Sequence, residues 1–175
     1  MPDSHLNKIA LIFLGNADRG DDALGMVIAK QLKNYFADPL PPLDAKSIVI
    51  CKTLGEPTAL WDLWEGYKHV IVIDAFQSTE YPSGTLLYYN PEQLITAGSC
   101  TPFSTHGMGL LEAVKLGKEL SRLPDHLDIL GIVGNNFSHF APLSLQVEKA
   151  MPRLFTEVLK RIKRLNAAIG EDCNA

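Results

Sequence analysis

Two aspartates and one histidine, far apart in this 175-residue sequence, each stand at a boundary of a predicted helix or strand. Asp22 follows a glycine-rich turn, Asp74 ends an apolar run, and His106 precedes a predicted helix. Carboxylate oxygens and an imidazole nitrogen suit a divalent transition metal when coordination positions are left open. If the fold brings the three side chains together, the sequence predicts a metal-contacting site.

The glycine-rich turn argues against a nucleotide. The segment Gly15–Gly20 has the glycine spacing of a phosphate-binding loop, but that motif continues with Lys and then Ser or Thr. This chain has Asp21 and Asp22 instead. Two carboxylates at a helix N-terminus repel a phosphate, whereas the helix dipole favours them and they can attract a cation.

Each candidate also has a purely structural interpretation. One of the two adjacent aspartates could cap a helix while the other complements its dipole. Asp74 could cap a turn, and His106 could cap a helix or pack in the core. His139, which follows the last predicted strand, is expected to be a solvated loop residue. The metal site therefore depends on whether the fold brings these positions together.

Hydrophobic patterning predicts five strands and four helices. The run His69–Ala75 is apolar almost to its end, as in a strand covered on both faces. Only about nine residues separate it from the next strand, which is too few for a parallel crossover, so that strand is expected to be antiparallel. The order predicts a three-layer α/β/α sandwich around a mostly parallel, five-stranded twisted sheet with one antiparallel strand. The predicted strands are Lys8–Leu14, Ser47–Leu54, His69–Ala75, Thr85–Tyr89 and Leu127–Val133; the predicted helices are Asp21–Phe36, Thr58–Glu65, Gly107–Arg122 and Ser144–Leu165.

Such a sheet would gather the three candidate residues at one edge. Ligand sites in open α/β sheets lie beyond the carboxyl ends of the strands, where Asp22 and Asp74 stand. We expect Pro91–Thr105 to be a long loop that returns the chain across the sheet, so that the helix starting at Gly107 begins at this same edge. Asp22, Asp74 and His106 should therefore converge.

Length and composition fit one globular domain over residues 1–175, with a core at about 8–165 and short tails 1–7 and 166–175. Sixteen Lys and Arg against twenty Asp and Glu give a net charge of −4, which argues against a nucleic acid or an anionic membrane as partner. No apolar run approaches the ~20 residues of a membrane span. Three cysteines without metal-ligand spacing favour a reducing, cytoplasmic location.

Four motifs occur along the chain in a definite order: LGNADRGDDALG at 14–25, IVIDA at 71–75, STHG at 104–107, and LGIVG at 130–134 followed by Leu143-Ser144. Together they resemble the nickel–iron hydrogenase maturation endopeptidases, a group like peptidase family M52. The resemblance covers roughly Lys8–Leu165, and the Gly-Asn-x-x-x-Gly-Asp-Asp segment is its most specific part. It implies a twisted, mostly parallel sheet between helices.

The resemblance implies a protease that acts last in assembling the hydrogenase large subunit. Such an enzyme cuts a short C-terminal extension from the precursor after nickel insertion, as a nickel-dependent hydrolase of aspartic or metallo type, and so activates the hydrogenase. By position, the resemblance gives Asp22, Asp74 and His106 both metal-contacting and catalytic roles. Nickel is expected to arrive with the precursor rather than as a permanent cofactor, and other divalent ions could occupy the site.

Two positions depart from the family pattern. Ala23 stands where many members have Gly, and Val133 stands where many have Glu or Pro. Neither residue is a proposed metal ligand. The departures therefore bear on which hydrogenase precursor is the partner, which the sequence leaves open.

Two functions of other classes stay open. A non-catalytic assembly factor could sense nickel at the same acidic edge and bind the precursor without cutting it. A small-molecule hydrolase could use the three side chains to hold a metal of its own. No serine or cysteine nucleophile stands out in the sequence, and the order of the motifs favours the endopeptidase.

Overall fold

A five-stranded sheet organises the chain. The computed structural model describes residues 7–38, 45–100 and 105–172, except the side chains at 45, 99–100, 105–108 and 170–172. The strand order is β2-β1-β3-β5-β4, with β4 antiparallel to β5 and every other pairing parallel. The strands are β1 (Ile9–Leu14), β2 (Ile48–Thr53), β3 (His69–Phe76), β4 (Leu86–Tyr89) and β5 (His126–Val133). The predicted sheet, including its antiparallel strand, is confirmed.

Helices cover both faces of this sheet. Apolar side chains of α1 and α5 pack on one face, and those of α2, α3 and α4 pack on the other. The predicted three-layer α/β/α arrangement is therefore confirmed. The helices are α1 (Leu24–Phe36), α2 (Pro57–Trp64), α3 (Pro91–Cys100), α4 (Thr105–Glu119) and α5 (Leu145–Asp172).

The two central strands explain the unbroken apolar runs of the sequence. Every residue of β1 and of β3 is buried. Successive side chains of a strand point to opposite faces, so in β3 Ile71 and Ile73 join the α1/α5 core while Val70 and Val72 join the other. By this alternation Asp74 lies on the face that α2, α3 and α4 cover.

One prediction about the chain path is wrong, because the segment expected to be a long loop contains helix α3. Its N-terminus carries a reciprocal cap: the Gln93 backbone N–H donates to Oδ1 of Asn90 at 2.8 Å, and the Asn90 N–H donates to Oε1 of Gln93 at 3.0 Å. Pro91 occupies the first helical position, where its missing N–H costs no hydrogen bond. An Asn-Pro-x-Gln sequence is a helix-start signal of the capping-box type, and it was present in the sequence.

Several helix ends also differ from prediction. Residues Gly20–Ala23 form a short 3-10 helix, so α1 begins at Leu24 rather than at Asp21. The last helix continues to Asp172, beyond the predicted end at Leu165, because its apolar side still reaches the core at Ile169. None of the helices in the described ranges is long and apolar enough to span a membrane.

Candidate functional site

The loop after β1 positions the carboxylate of Asp22. Gly15 has a φ of 121°, and a Cβ at this position would collide with the Asp22 carbonyl oxygen, so only glycine fits there without strain. The Asn16 backbone N–H donates to Oδ2 of Asp22 at 3.0 Å, and the Asp22 N–H donates to the Arg19 carbonyl at 3.0 Å. Asp22 is buried. The glycine-rich turn therefore positions an acidic side chain, in agreement with the sequence argument against a phosphate.

The neighbouring Asp21 has a different role. Its Oδ2 accepts hydrogen bonds from the backbone N–H groups of Asn135 and Asn136, at 2.8 and 3.0 Å, and from the Ser144 hydroxyl at 3.0 Å. Its Oδ1 accepts the Ser144 N–H at 2.6 Å. Asp21 is fully buried and ties the β1–α1 loop to the connection between β5 and α5. No local sequence pattern indicates this brace, because its partners lie more than a hundred positions away.

Backbone hydrogen bonds join the same two loops. The connection from Gly134 to Ser144, called here the 134–144 connection, follows β5 and leads into α5. Three main-chain bonds hold it to the β1–α1 loop: Gly20 N–H to the Ala141 carbonyl at 3.1 Å, Asp21 N–H to the Asn136 carbonyl at 2.7 Å, and Phe140 N–H to the Asp18 carbonyl at 2.7 Å. The β1–α1 loop, which carries Asp22, is therefore held to the 134–144 connection both by main-chain bonds and by the Asp21 carboxylate.

Asp74 lies near the carboxyl end of β3. It is fully buried, and its Oδ1 accepts the backbone N–H of Ala75 at 2.8 Å. The residue opposite it in β5 is Gly131, where a Cβ would collide with the Asp74 carbonyl and the ring of Phe76. The 3-10 helix that contains Asp22 packs against β3. The elements that carry Asp22 and Asp74 therefore meet at the carboxyl edge of the sheet, as the topology predicted.

The backbone of His106 lies in the first turn of α4, but its side chain is outside the described part of the chain. The start of α4 can still be located, because Gly109 packs against the carbonyl of Gly55, just beyond the end of β2. This contact puts the beginning of α4 at the carboxyl edge. No three His, Cys, Asp or Glu side chains cluster as a metal site among the described side chains, which do not include that of His106. The three-residue site stays a prediction.

Two other side chains near this edge do not add to the candidate set. His139 is exposed and stands beside the ring of Phe140, with centroids 5.8 Å apart, so it is a surface loop residue as expected. Cys51 of β2 is half-buried, and burial raises the pKa of its thiol above the ordinary value. A thiol with a raised pKa stays protonated at neutral pH and is a poor nucleophile.

Comparison with known proteins decides the family. The model of the family described as HycI, hydrogenase maturation protease, matches residues 46–161. This chain belongs to the hydrogenase maturation protease family. A Methanocaldococcus jannaschii protein provisionally named hydrogenase maturation protease MJ0631 is 25% identical over 163 residues, which are 92% of each chain. The family resemblance seen in the motifs is therefore confirmed.

Solved structures of maturation proteases show the same fold. The hydrogenase maturating endopeptidase HybD from E. coli superposes with a TM-score of 0.75 at 20% identity, covering 90% of this chain and 93% of that one. The [NiFe] hydrogenase maturation protease HybD from Thermococcus kodakarensis has a TM-score of 0.67 at 22% identity, covering 89% and 98%. The segment matched by the family model contains Asp74 and His106, whereas Asp22 lies before it.

Proposed function

We propose that this maturation protease removes the C-terminal extension of a nickel–iron hydrogenase large-subunit precursor after nickel has been inserted. In this proposal Asp22, Asp74 and His106 contact the nickel that the precursor carries. The supporting observation is the burial of two carboxylates at the sheet edge where α4 begins. Membership of the family supports the protease activity.

Burial of these carboxylates has an energetic cost that favours a functional interpretation. Removing an ionised carboxylate from water costs several kcal/mol unless other groups compensate for the lost hydration. Asp22 and Asp74 each accept a backbone N–H bond, at 3.0 and 2.8 Å. Asp21 shows that burial alone also fits a structural role, so a functional role for Asp22 and Asp74 is supported by their burial together with their place at the edge where α4 begins. Two fixed carboxylates at one edge produce a negative potential that attracts a divalent cation.

The chemistry follows from the donor types. Asp22 and Asp74 offer oxygen ligands and His106 offers a nitrogen ligand, a set that suits nickel(II) with open positions. Nickel is part of the substrate in this scheme, so its contact with the three side chains would distinguish a loaded precursor from an empty one. A metal ion can polarise a carbonyl or lower the pKa of a bound water. The chain's own contribution is to hold the nickel centre so that the scissile peptide lies at the carboxyl edge.

The proposal is tested with purified protein and precursor in nickel-loaded and nickel-free forms, with the products weighed by mass spectrometry. We expect the wild type to shorten only the loaded form. D22N, D74N and H106Q should each lower the cleavage rate roughly 1000-fold, which corresponds to about 4 kcal/mol of lost transition-state stabilisation. The matched control is D18N, since Asp18 is an exposed acid of the same loop.

Two results would contradict the assigned roles. One is equal cleavage of the loaded and the nickel-free precursor, because the three side chains would then not sense nickel. The other is an unchanged rate in D22N or D74N while both variants keep the wild-type unfolding midpoint. Stable binding of an uncut precursor by the wild type would instead favour a non-catalytic assembly factor.

The cytoplasmic location stays a prediction from the cysteine content.

A further inference from the structure

The 134–144 connection presents an unusual side chain to solvent. Phe140 is 85% exposed, whereas the other exposed large hydrophobic residues of the described ranges are between 38% and 58% exposed. Leu145, the first residue of α5, comes directly after this connection and is 58% exposed. Exposure of one ring is not evidence of a partner by itself, so its backbone conformation and its position carry the argument.

Phe140 also has a strained backbone. Its φ is 56°, in the left-handed region that bulky residues rarely occupy. The conformation is imposed from outside, because the Phe140 N–H donates to the Asp18 carbonyl at 2.7 Å and the next residue, Ala141, accepts the Gly20 N–H at 3.1 Å. Backbone strain persists where the surroundings determine it, and it occurs preferentially at binding and active sites. Here the two main-chain bonds fix the backbone position from which the ring projects.

A backbone hydrogen bond links Phe140 to the loop that carries Asp22. Asp18, whose carbonyl holds Phe140, is four residues from Asp22, and four residues span at most about 14 Å. The Asp21 carboxylate ties the 134–144 connection to the same loop. The backbone of Phe140 therefore lies within reach of a polypeptide that is bound at Asp22.

We propose that Phe140 is a substrate-anchoring residue, which inserts its ring into an apolar recess of the hydrogenase precursor while the scissile segment lies at the carboxyl edge. This inference rests on the proposed function and adds a specificity determinant to it. Aromatic residues that become fully desolvated dominate the binding energy of protein interfaces. The main-chain bonds already fix the backbone of this residue, so binding has less backbone freedom to remove.

The test is a steady-state comparison of F140N with the wild type on the nickel-loaded precursor that the wild type cleaves. Asn tolerates the left-handed region far better than Phe. F140N should therefore keep or raise the melting temperature, by up to about 4 °C. We expect KM to rise about tenfold with kcat nearly unchanged, since an anchor that does not touch the reacting bond contributes uniform binding. F140W should restore the wild-type KM.

Two control variants separate anchoring from general effects. L120N removes an exposed apolar side chain at the opposite edge, where Leu120 is 57% exposed, and should leave KM unchanged. S121G relaxes the other non-glycine residue with positive φ in the described ranges, at 54°, and should also leave KM unchanged. If F140N lost its fold, F140G would replace it, because glycine accepts the same φ.

The outcomes distinguish this inference from the proposed function. Wild-type cleavage with an unchanged KM in F140N and F140G overturns the anchoring role and leaves the protease assignment intact. A wild type that cleaves no precursor removes the proposed function itself, and the anchoring role with it. A wild-type dimer that F140N converts to a monomer, seen by sedimentation with KM unchanged, would show that the ring contacts a second copy of this chain instead.

Discussion

Charged side chains at the two ends of the parallel strands have different kinds of described partners. At the amino edge, Asp128 of β5 forms an ion pair with Arg161 at 2.7 Å and a longer contact with Arg164 at 3.5 Å. The first residues of β3 and β5, His69 and His126, stack in parallel with ring centroids 4.8 Å apart. At the amino edge, the charge of Asp128 is therefore compensated by arginine side chains of the same chain.

At the carboxyl edge, backbone groups hold the acids. The described hydrogen bonds of Asp21, Asp22 and Asp74 come from main-chain N–H groups and from the hydroxyl of Ser144. Main-chain donors orient a carboxylate without neutralising its charge. The described contacts of the amino edge are ion pairs and stacked rings, whereas those of the acids at the carboxyl edge come from uncharged donors, which orient a carboxylate for contact with a cation.

The contrast is sharpest between two adjacent residues of the same type. Asp21 accepts four hydrogen bonds from residues more than a hundred positions away. For Asp22, the hydrogen bond to its carboxylate from Asn16 is local, six positions away. Asp21 therefore connects distant parts of the fold, while the bond from Asn16 orients Asp22 within its own loop.

The largest expected change in stability comes from removing the Asp21 brace. D21A leaves three N–H donors and a hydroxyl, all in part-buried hydrogen bonds, without their acceptor, and each unsatisfied group costs up to about 1–3 kcal/mol before relaxation and hydration. We expect the free energy of unfolding to fall by about 4 kcal/mol, measured by urea denaturation, whereas D22N should change it by less than about 1 kcal/mol. If D21A and D22N destabilised the protein equally, the division of roles between the two acids would be wrong.

A smaller effect is expected from the ion pair at the amino edge. R161A removes the 2.7 Å contact with the half-buried Asp128 and the stacking of Arg161 on the ring of Tyr88, at 5.4 Å. Since Arg164 can partly replace the lost charge, we expect a loss of about 1 kcal/mol in unfolding free energy. Precursor cleavage by the folded variant should be unchanged. A loss of activity at unchanged stability would show that the amino edge also takes part in the reaction.

The smallest effect is expected from an exposed pair near the same edge. Lys118 of α4 and Glu92 of α3 are 2.7 Å apart, but both side chains are largely exposed. K118A should lower the unfolding free energy by no more than about 0.5 kcal/mol, and added salt should remove even that difference. If K118A lowered the unfolding free energy as much as R161A does, solvent exposure would not explain the relative strengths of the two ion pairs.

The sequence predicted the sheet well because its strands are marked by local patterns. β1 and β3 are continuous apolar runs, and the short link before β4 allowed only an antiparallel strand. Helix α3 differs from the predicted loop because few apolar residues mark the segment; its local signal is the cap formed by Asn90 and Gln93. Topology also predicted that Asp22 and Asp74 would reach one edge.

The apolar residues, the strands and the acids at the strand ends can be predicted from the sequence, because these properties depend on neighbours along the chain. That Asp21 braces the 134–144 connection, while Asp22 accepts a bond from the nearby Asn16, depends on the tertiary structure. The same holds for the strained, exposed Phe140, whose conformation depends on the Asp18 carbonyl. Hydrogen bonds between residues more than a hundred positions apart leave no periodic trace in a sequence, so they appear only when the chain is folded.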